Sequence, residues 1–542
     1  MTSRKVFFFA SGCAVLAVVL TGLVLLGNVK ADARPAYQQF QVFTQVLSLI
    51  NDYYVEDVDA DSLIDGAISG LLLRLDPHST YLDPERFKKM QERNKGAYYG
   101  IGISFSIVEG NLTVISPIEG SPAYKLGLRS GDIIVKINGR SAKGIDEQEV
   151  FDKLRGERGT MVHVSVFREG EPDFLEFDIV RDEIPIFSVP YAFMLDDKTG
   201  YVRMIRFSAT TSDELEKALQ KLKGEGMRQL VLDLRSNSGG FLHEAIEVVD
   251  KFLPQGKKVV YTRGNLPDSN EDHYTTGRGQ HRDYPMIVMI DHGSASASEI
   301  VSGAIQDWDR GLVVGQTSFG KGLVQRQYML KNGAALLLTV ARYYTPSGRL
   351  IQRDYEDREK YLTEDVEDIE RESESDSALA TRPQFHTSAG RLVYGGGGIM
   401  PDIRIDKPYR YPRLQRDLDR HRAYFEFATR IIAREGLRYP NFKQFQRDFA
   451  AGDDKRAEFE GFLKEKKIQY DADSLRAQAD HVSRSIKAEV ARALFGDNEQ
   501  YQIVIMDDPA LQEAMTYFPK AEMMARGDMS GFTQQGARQS RR

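Results

Sequence analysis

A run of small residues in the middle of the chain contains the strongest candidate nucleophile. The segment Gly293–Ser298 follows the apolar stretch Pro285–Ile290 and leads into the apolar-periodic Ile300–Ile305. This order predicts a buried strand, a tight turn and the start of a helix. Ser296, with Glu299 three residues later, fits a capping box. It is therefore either an ordinary helix cap or a nucleophile whose oxyanion the first helix amides would stabilise.

The candidate base is Lys321, which lies between two glycines shortly after the apolar segment Leu312–Val314. A serine hydroxyl is a poor nucleophile unless a neighbour takes its proton, and a neutral lysine can do so without a histidine. Lowering a lysine pKa from about 10.4 to near 7 requires on the order of 4–5 kcal/mol of differential stabilisation. This hypothesis therefore predicts a buried Lys321, whereas the alternative is an exposed loop lysine.

Phosphate binding is a competing hypothesis for the same segment. Gly315–Lys321 fits the P-loop pattern up to its last position, where Gly322 stands in place of the Ser or Thr that would hold magnesium. A P-loop also continues into a helix, whereas here the chain continues toward the strand-like Ala335–Val340. The pattern therefore disfavours a nucleotide site.

Histidine chemistry is the second alternative. His243 and His292 lie near the same motifs, so a Ser-His-Asp triad stays open as a minor hypothesis. His243 has no second histidine at the spacing of a zinc protease, and the sequence has no G-x-S-x-G elbow. We expect neither a metal nor an organic cofactor.

Several motifs in the same order resemble the carboxyl-terminal processing peptidases, serine proteases of the S41 type. They are SASASEI, the spacing of twenty-five residues from Ser296 to Lys321, and GKGLVQ. The resemblance implies that Ser296 is the nucleophile, Lys321 the general base and Gln325 the residue that orients the lysine. An amide at this position accepts a hydrogen bond without adding a charge that would raise the lysine pKa.

A second motif resembles the oxyanion turn of the same family. Asp233–Gly240 is similar to the family's DLRxNxGG sequence, with Ser238 where the family usually has Pro. The resemblance implies an oxyanion hole formed by amides of this turn and of the helix start. The candidate residues are Gly239, Gly240 and Ala297.

A run of short strands and turns resembles a PDZ domain. The GIGI loop is followed by SPA, SGDII and ING in the order that such domains show. A PDZ domain adds a peptide as an extra strand and holds its terminal carboxylate in the amides of the glycine loop. The resemblance also suggests that Arg155 links peptide docking to the active site. The loop residues are Gly100, Ile101, Gly102 and Ile103.

The N-terminus has the pattern of an export signal. Arg4 and Lys5 precede an uncharged apolar run over 6–26, and 29–31 offers a small-residue cleavage site. The run is just long enough to span a bilayer, so a cleaved signal and a membrane anchor are both open. We expect the rest of the chain on the periplasmic side of the inner membrane. The one cysteine, Cys13, lies within this run, so the remainder has no disulfide.

The chain of 542 residues is long enough for several domains, and its net charge of -7 comes from many charges of both signs. We expect an α/β fold with helical N- and C-terminal regions, and the resemblances imply a Clp protease/crotonase-like core with an inserted PDZ domain. The predicted divisions are a signal or anchor at 1–34, a helical region at 35–95, the PDZ domain at 96–182, the protease core at 183–406 with an acidic insertion at about 352–380, and a helical extension at 407–542.

The functional hypothesis is an exported serine endopeptidase that cleaves C-terminal or unstructured tails of other proteins. The expected partners are protein or peptide substrates bound by their C-termini, a second copy of the chain, an adaptor protein, and the membrane through the N-terminal segment. Nothing in the charge pattern predicts nucleic-acid binding. Two alternatives stay open, namely a PDZ scaffold with a silent protease site and a serine hydrolase of a non-peptide substrate.

Overall fold

The computed structural model describes residues 33–279, 282–357, 361, 376–405 and 412–532. The helices are α1 Ala33–Tyr53, α2 Ala60–Leu72, α3 Pro84–Lys95, α4 Pro122–Lys125, α5 Glu147–Leu154, α6 Thr211–Gly224, α7 Leu242–Asp250, α8 Ala297–Asp307, α9 Asp376–Thr381, α10 Arg413–Arg420, α11 Ala423–Glu435, α12 Phe442–Asp448, α13 Asp453–Glu465, α14 Ala472–Ala477, α15 Ala479–Phe495, α16 Asp497–Ile505, α17 Pro509–Met515 and α18 Phe518–Ala525.

The strands are β1 Thr80–Leu82, β2 Ala97–Gly100, β3 Ile103–Val108, β4 Asn111–Pro117, β5 Ile133–Ile137, β6 Arg140–Ser141, β7 Met161–Phe167, β8 Leu175–Val180, β9 Asp182–Pro185, β10 Tyr191–Met194, β11 Thr199–Arg203, β12 Gln229–Asp233, β13 Lys258–Gly264, β14 Asp272–Tyr274, β15 Met286–Ile290, β16 Leu312–Gly315, β17 Leu323–Met329, β18 Ala335–Tyr344, β19 Gln384–His386, β20 Leu392–Tyr394 and β21 Ile403–Arg404.

Several predictions made from the sequence fall outside the described residues. They are the apolar run at 6–26 with Cys13, the cleavage site at 29–31, and most of the acidic insertion. Within the described part of the chain, no helix is both long enough and apolar enough to cross a membrane.

The first unit, up to Asp83, contains helices α1 and α2 and the short strand β1. A tight turn follows α2, in which the buried Asp76 carboxylate accepts from the amides of His78 (2.8 Å) and Ser79 (2.7 Å). A carboxylate that satisfies two amides is a local turn device. His78 therefore lies in a structural turn, as its position beside a proline predicts.

The PDZ-like region is an antiparallel sheet with its own core. The strand order is β3-β4-β5-β7-β8, with β6 on β5, and α4 and α5 complete the domain. The inward side chains of β4, β5 and β7 are buried and form one apolar cluster with α5. Strands β2 and β9 pair antiparallel at the entry to and the exit from this domain. The pair therefore joins the domain to the rest of the chain by two strands.

A six-stranded sheet forms the centre of the predicted protease region, in the order β10-β11-β12-β15-β16-β21. All neighbours are parallel except the pair β10–β11. Every residue of β12, β15 and β16 is buried, as expected for parallel strands covered on both faces. The sheet with its connecting helices is the α/β layer that the sequence predicts.

Different helices cover the two faces of this sheet. Helices α6, α7 and α8 pack on one face in the largest apolar cluster of the described chain. Helices α16, α17 and α18 pack on the other face, where Tyr501 of α16 stacks on Tyr191 of β10 with ring centroids 3.9 Å apart. The end of the C-terminal extension therefore packs on the same sheet as the predicted protease core.

The remaining elements complete the active-site side and the extension. An antiparallel sheet pairs β17 with β18, β18 with β13, and β13 with β14. Helices α10–α15 form a separate helical cluster with a largely aromatic and aliphatic core. Helix α16 contacts the PDZ-like region, because Ser116 Oγ of β4 donates to the carboxylate of Asp497 at 2.8 Å.

Candidate active site

Ser296 lies at the junction between strand β15 and helix α8. The chain turns through Asp291–Ala295 after the buried strand, and the helix begins at Ala297. Ser296 has φ 55° and ψ −111°, a rarely populated conformation for a residue with a Cβ atom. Strain of this kind persists only where the surrounding structure enforces it, and it is concentrated at functional sites.

The neighbouring turn at 234–240 supplies that constraint. The carboxylate of Asp291 accepts from the amide of Ser236 at 2.6 Å, and the amide of Ala295 donates to the carbonyl of Asn237 at 3.0 Å. These bonds join the ends of two adjacent parallel strands, β12 and β15. The serine turn and the predicted oxyanion turn therefore form one hydrogen-bonded unit.

The two glycines of the predicted oxyanion turn occupy positions that no other residue would fit. Gly239 has φ 93° and Gly240 φ 151°. A Cβ atom on Gly239 would lie 2.8 Å from both Ser296 Cβ and the amide nitrogen of Ala297, and one on Gly240 would lie 2.0 Å from the carbonyl of Phe207. Glycine thus lets the turn approach the nucleophile.

The hydrogen bonding distinguishes between the three candidate amides. The amide of Gly239 already donates to the side-chain oxygen of Asn237 at 3.0 Å. The amides of Gly240 and Ala297 are therefore the better candidates for an oxyanion hole. Ser238 is exposed, so the replacement of the usual proline leaves this arrangement intact.

Glu299 connects the nucleophile turn to the loop that carries Lys321. One carboxylate oxygen accepts from the amides of Ser296 (2.7 Å) and Lys321 (3.0 Å). The other accepts from Ser318 Oγ (2.6 Å) and the amide of Gly320 (2.7 Å). The bond to Ser296 is the half of the capping box that sequence reasoning anticipates. The other three bonds make Glu299 the common anchor of both loops.

The Glu299 carboxyl group is completely buried. Burial raises its pKa, while the hydrogen bonds from Ser318 and from the three amides act in the opposite direction. A buried carboxyl with four donors is fully hydrogen-bonded. Its role is therefore to hold backbone, and it does not need to face the substrate.

Lys321 lies between β16 and β17 and is held at both ends. Its Nζ donates to Gln325 Oε1 at 3.0 Å, and its carbonyl accepts from the hydroxyl of Tyr343 at 2.5 Å. The same hydroxyl lies 3.1 Å from the carbonyl of Ser296. Lys321 is half-buried, so the expectation of a buried lysine is met only in part.

One cavity of about 830 Å³ contains most of the predicted catalytic groups. Ser296, Lys321 and Gln325 line it, together with the turn glycines Gly239 and Gly240. Ala297 is buried behind Ser296 and is not among the lining residues. The structure thus brings a hydroxyl, an amine and a glycine turn to one concave surface, which is the arrangement that acyl transfer requires.

The histidine alternatives have different positions. His243 lines the same cavity but its side chain is 62% exposed and lies 3.6 Å from the carboxylate of Glu244. His292 lies outside the lining residues. No hydrogen bond between either histidine and Ser296 is present in the described chain. Within the same residues, no group of three or more His, Cys, Asp or Glu is arranged to hold a metal ion.

The predicted peptide-binding loop lies in the PDZ-like region, outside the catalytic cavity. Gly102 has φ 81°, and the carbonyls of Ile101 and Gly102 accept from the amides of Ala123 (2.9 Å) and Ile118 (3.0 Å). Ile103 begins β3, which pairs only with β4 among the described strands. The second edge of β3 is thus the edge to which a peptide strand would add.

Sequence reasoning missed two parts of the site. Glu299 appears in the sequence only as a helix cap, and Tyr343 lies just beyond the predicted strand-like segment Ala335–Val340 and is assigned no role. Their contacts to Lys321 depend on how β16, β17 and β18 return to α8. The sole signal for Glu299 is its capping-box spacing, and no local signal marks Tyr343.

The chain is 39% identical over 356 residues to a carboxy-terminal-processing protease of Bartonella bacilliformis, covering 64% of this chain and 80% of that protein. It is 33% identical over 354 residues to the carboxy-terminal processing protease CtpA of Bacillus subtilis, covering 64% of this chain and 75% of the relative. This chain belongs to the family of carboxy-terminal processing proteases.

Profiles of known families support this membership of the S41 serine peptidases. Peptidase family S41 matches residues 198–367, a PDZ domain matches 113–168, and the N-terminal domain of the activating protease CtpB matches 26–86. A family of unknown function matches 415–496, within the helical extension. The α/β protease with a PDZ domain that the sequence predicts is therefore confirmed.

Solved structures of similar proteins include the photosystem II D1 C-terminal processing protease, with 27% identity and a TM-score of 0.32 over 62% of this chain and 98% of that chain. The PDZ domain of a carboxy-terminal protease from Vibrio cholerae, in complex with peptide, has 26% identity and a TM-score of 0.15 over 16% of this chain and 97% of its own. Membership of the S41 family follows from the sequence matches.

Proposed function

We propose that this S41 peptidase cleaves the C-terminal or unstructured tails of other proteins through a Ser296 acyl-enzyme, with neutral Lys321 as the general base. The observation that carries the proposal is the shared cavity of Ser296, Lys321 and Gln325, in which the amine already bonds Gln325 at 3.0 Å. A neutral amide partner holds the lysine without raising its pKa.

The reaction follows from these positions. Lys321 Nζ takes the proton of Ser296 Oγ while that oxygen attacks the scissile carbonyl carbon. When the tetrahedral intermediate collapses, the C–N bond breaks and Lys321 gives the proton to the leaving amine. Water then attacks the ester carbonyl with Lys321 again as base, which releases the acid product and restores the serine hydroxyl.

The developing oxyanion needs donors that are already in place before the reaction. The amides of Gly240 and Ala297 are the proposed donors, since the Gly239 amide is bonded to Asn237. Ala297 is also the first residue of α8, so the positive end of the helix adds to the stabilisation. Gly239 is then required for space, because a Cβ atom at this position would lie 2.8 Å from Ser296 Cβ.

Proteolysis of an unfolded protein tests the proposal. The purified protein is compared with Ser296→Ala and Lys321→Ala, and each change is expected to lower the rate by about a thousandfold or more. Gln325→Ala should lower it less, because the lysine would stay in place with a less fixed orientation. Lys331→Ala removes an exposed lysine outside the cavity and is the matched control.

The same experiment separates the alternatives. A wild-type protein that binds peptide tails but degrades nothing would favour the silent scaffold. Hydrolysis of small esters without any proteolysis would favour a non-peptide hydrolase. Retention of proteolysis by Lys321→Ala would reject the lysine as base, and an effect of His243→Ala as large as that of Ser296→Ala would favour a histidine base.

The PDZ domain supplies the proposed recognition of substrate C-termini. A tail that adds to the free edge of β3 would bring its terminal carboxylate to the Gly100–Ile103 loop. A peptide with a free C-terminus should therefore bind more tightly than the same peptide with an amidated one. Equal affinities, measured by fluorescence anisotropy, would contradict carboxylate recognition.

Arg155 is the proposed link between tail binding and catalysis. Its guanidinium lies 4.3 Å from the ring centroid of Tyr98 and 4.5 Å from that of Phe151, and it contacts the Glu92 carboxylate at 3.2 Å. Phe151 belongs to the PDZ helix α5, whereas Glu92 belongs to α3, which also contributes residues to the catalytic cavity. Arg155 therefore touches both parts.

The gating proposal requires that Arg155→Gln change proteolysis of tailed substrates. The expected result is a several-fold change in turnover with little change in the affinity for a tail peptide. Arg158→Gln is the matched control, because Arg158 forms an exposed ion pair with Asp182. A variant at Arg155 in which both peptide binding and proteolysis are unchanged would reject the link.

Export to the periplasmic side of the inner membrane and self-association complete the proposal. Export is supported by the charged and apolar pattern of residues 4–26. Self-association is supported by helix α1, which exposes large apolar side chains such as Tyr37, Phe40 and Leu49. Fractionation of cells and light scattering of the purified protein test these two points. An adaptor protein stays a candidate partner.

A further inference from the structure

Two arginines face the catalytic cavity from separate parts of the chain. Arg93 lies near the end of helix α3, and Arg206 follows strand β11. Both line the cavity that also contains Ser296 and Lys321. Neither belongs to a motif of the proposed Ser-Lys mechanism, so their presence in the cavity needs a separate explanation.

Arg206 is held next to the oxyanion turn by the backbone of its neighbour. The amide of Phe207 donates to the carbonyl of Gly239 at 3.0 Å, and the carbonyl of Phe207 accepts from the amide of Phe241 at 2.9 Å. Two hydrogen bonds on the adjacent residue leave the backbone at Arg206 little freedom. The side chain of Arg206 therefore starts from a fixed backbone position next to the turn that contains Gly239.

Neither arginine has a carboxylate partner among the residues that the structure describes. Arg206 Nε is buried and has no hydrogen-bond acceptor there. Glu214 is the acidic group that acts to raise the pKa of Arg206, and its carboxylate already accepts from the amides of Ser188 (2.8 Å) and Val189 (2.9 Å) and from Thr210 Oγ1 (2.6 Å). The pair thus presents positive charge and unused donors to the cavity.

Two like charges at one surface disfavour each other. Burial, and then the charge of Arg93, lowers the pKa of Arg206. An anion between the two guanidiniums would reverse this penalty and satisfy the free donors, because arginine binds carboxylates through its fork of N–H groups. The cavity holds the catalytic serine, so the anion is expected to come from the bound polypeptide.

We propose that Arg93 and Arg206 form a subsite for a carboxylate of the substrate, and that this subsite selects an Asp or Glu side chain close to the cleaved bond. The inference rests on the proposed function, in which the cavity binds a polypeptide. A side chain is the favoured source because the same proposal assigns the terminal carboxylate to the PDZ loop. The terminal carboxylate of a short tail has the same chemistry, and peptides with free or amidated ends distinguish it from a side-chain carboxylate.

Matched peptides provide the test. Each peptide has an amidated C-terminus, which removes the terminal carboxylate from both the PDZ loop and the cavity, and members of a pair differ only by Asp or Asn at one position near the cleaved bond. The wild-type protein should cleave the Asp member of at least one pair with a kcat/KM about tenfold higher than the Asn member, the effect of one charge-assisted hydrogen bond.

The ratio within each variant is the decisive readout, so a general loss of activity does not obscure it. Arg206→Gln should bring the Asp/Asn ratio close to one, Arg206→Lys should retain part of it, and Arg93→Gln should reduce it less because Arg93 is exposed. Arg228→Gln removes an exposed arginine that is not among the cavity residues, and it should leave the ratio unchanged.

Peptides that contain only neutral residues, with free or amidated ends, separate the two sources. If the free end is preferred and Arg206→Gln abolishes that preference, the bound carboxylate is the terminal one. If the wild type shows neither preference, or if Arg206→Gln keeps the preference of the wild type, the subsite is rejected.

Binding measurements keep this inference distinct from the proposed function. The Ser296→Ala variant should bind the amidated Asp peptide about tenfold more tightly than its Asn counterpart, and Ser296→Ala with Arg206→Gln should bind both equally. If the wild type cleaves no peptide, the proposed function fails, but these affinities still decide the subsite. Equal affinities in the single variant would overturn it.

Discussion

Two buried carboxylates lie beside the active-site turns and differ in what surrounds them. Asp233, at the end of β12, contacts Arg203 at 2.5 Å and Arg235 at 2.6 Å and accepts from the hydroxyl of Tyr201 at 2.7 Å. Glu299, in the first turn of α8, accepts from three amides and one serine hydroxyl. One carboxylate is neutralised by cations, and the other is satisfied by neutral donors.

The difference appears in the direction of the two pKa shifts. The two arginines hold the pKa of Asp233 well below its usual range, although burial acts in the opposite direction. Burial dominates at Glu299 and raises its pKa. Counter-charges at Glu299 would add positive potential beside the serine, whereas neutral donors fix the two loops without it. The fold thus uses ion pairs at Asp233, whereas neutral hydrogen bonds to Glu299 position the loops that carry Ser296 and Lys321.

The largest expected effect comes from Asp233→Asn. The change leaves two arginines, each with less than a fifth of its side chain exposed, without their shared counter-ion. Breaking a buried ion pair from one side costs about 3–5 kcal/mol, so the free energy of unfolding in urea should fall by that amount. Asp197→Asn, at an exposed position, is the control and should change it by about 0.5 kcal/mol or less. A small loss at Asp233 would show that Asp508, which contacts Arg235 at 2.6 Å, is a sufficient partner.

Glu299→Gln should lower the free energy of unfolding less than Asp233→Asn does, and its main effect should be on catalysis. An amide offers one oxygen in place of two, so its NH₂ group would face two of the four donors. The loss in the free energy of unfolding should be about 1–3 kcal/mol. Because the Ser296 and Lys321 loops lose their common anchor, kcat should fall by more than this stability change explains.

The control for that variant is Glu247→Gln, which removes an exposed carboxylate from α7. Proteolysis is measured at a temperature where both variants remain fully folded by circular dichroism. Unchanged kcat in Glu299→Gln would contradict the assignment of Glu299 as the anchor of the catalytic loops and would reduce it to a helix cap.

The contributions of Asp233 and Glu299 to stability should change with pH in opposite directions. The lowered pKa of Asp233 stabilises the fold above the unfolded value of about 3.9. That contribution to stability disappears as the pH falls below this value. The difference in the free energy of unfolding between the wild type and Asp233→Asn should therefore become smaller in acid.

Glu299 should behave in the opposite way. Its raised pKa means that the folded chain keeps a proton which the unfolded chain releases near pH 4.3, an approximate reference value for Glu. The stabilisation that the protonated Glu299 carboxyl contributes is complete below that pH, and it decreases as the pH rises through the pKa of Glu299 in the folded protein. The difference between the wild type and Glu299→Gln should therefore narrow toward neutral pH. Urea titrations from about pH 3 to 8 measure both differences in the free energy of unfolding. If both differences became smaller in the same direction of pH, the predicted contrast between Asp233 and Glu299 would be wrong.

Local features of the site can be predicted from the sequence, but contacts between segments that are distant in the chain cannot. Ser296, Lys321 and Gln325 lie within thirty residues, and their motif predicts one site that the structure brings into one cavity. The bond from the Ser296 amide to Glu299 follows from spacing alone. The other bonds of Glu299 require the loop after β16 to close over α8, which no local pattern encodes.

The C-terminal extension shows the same limit on a larger scale. Periodicity predicts its helices but does not indicate which surface they cover. Tyr501 stacks on Tyr191, and Asp508 contacts Arg235 at the predicted oxyanion turn. These contacts join segments about 300 residues apart, so the role of the extension in the protease core emerges only from the three-dimensional structure.

The smallest expected effect sharpens the comparison at a neutral group. Tyr343→Phe removes, without any change in net charge, a hydroxyl that donates to the carbonyl of Lys321 (2.5 Å) and lies 3.1 Å from the carbonyl of Ser296. The loss in the free energy of unfolding should be about 1 kcal/mol, and kcat should fall several-fold with little change in KM. Tyr344→Phe is the control, because neighbouring strand residues point to opposite faces and Tyr344 stacks instead on Tyr261, with ring centroids 4.9 Å apart. If Tyr343→Phe left kcat unchanged, Glu299 alone would suffice to align the two loops, and the neutral positioning network would reduce to that one carboxyl group.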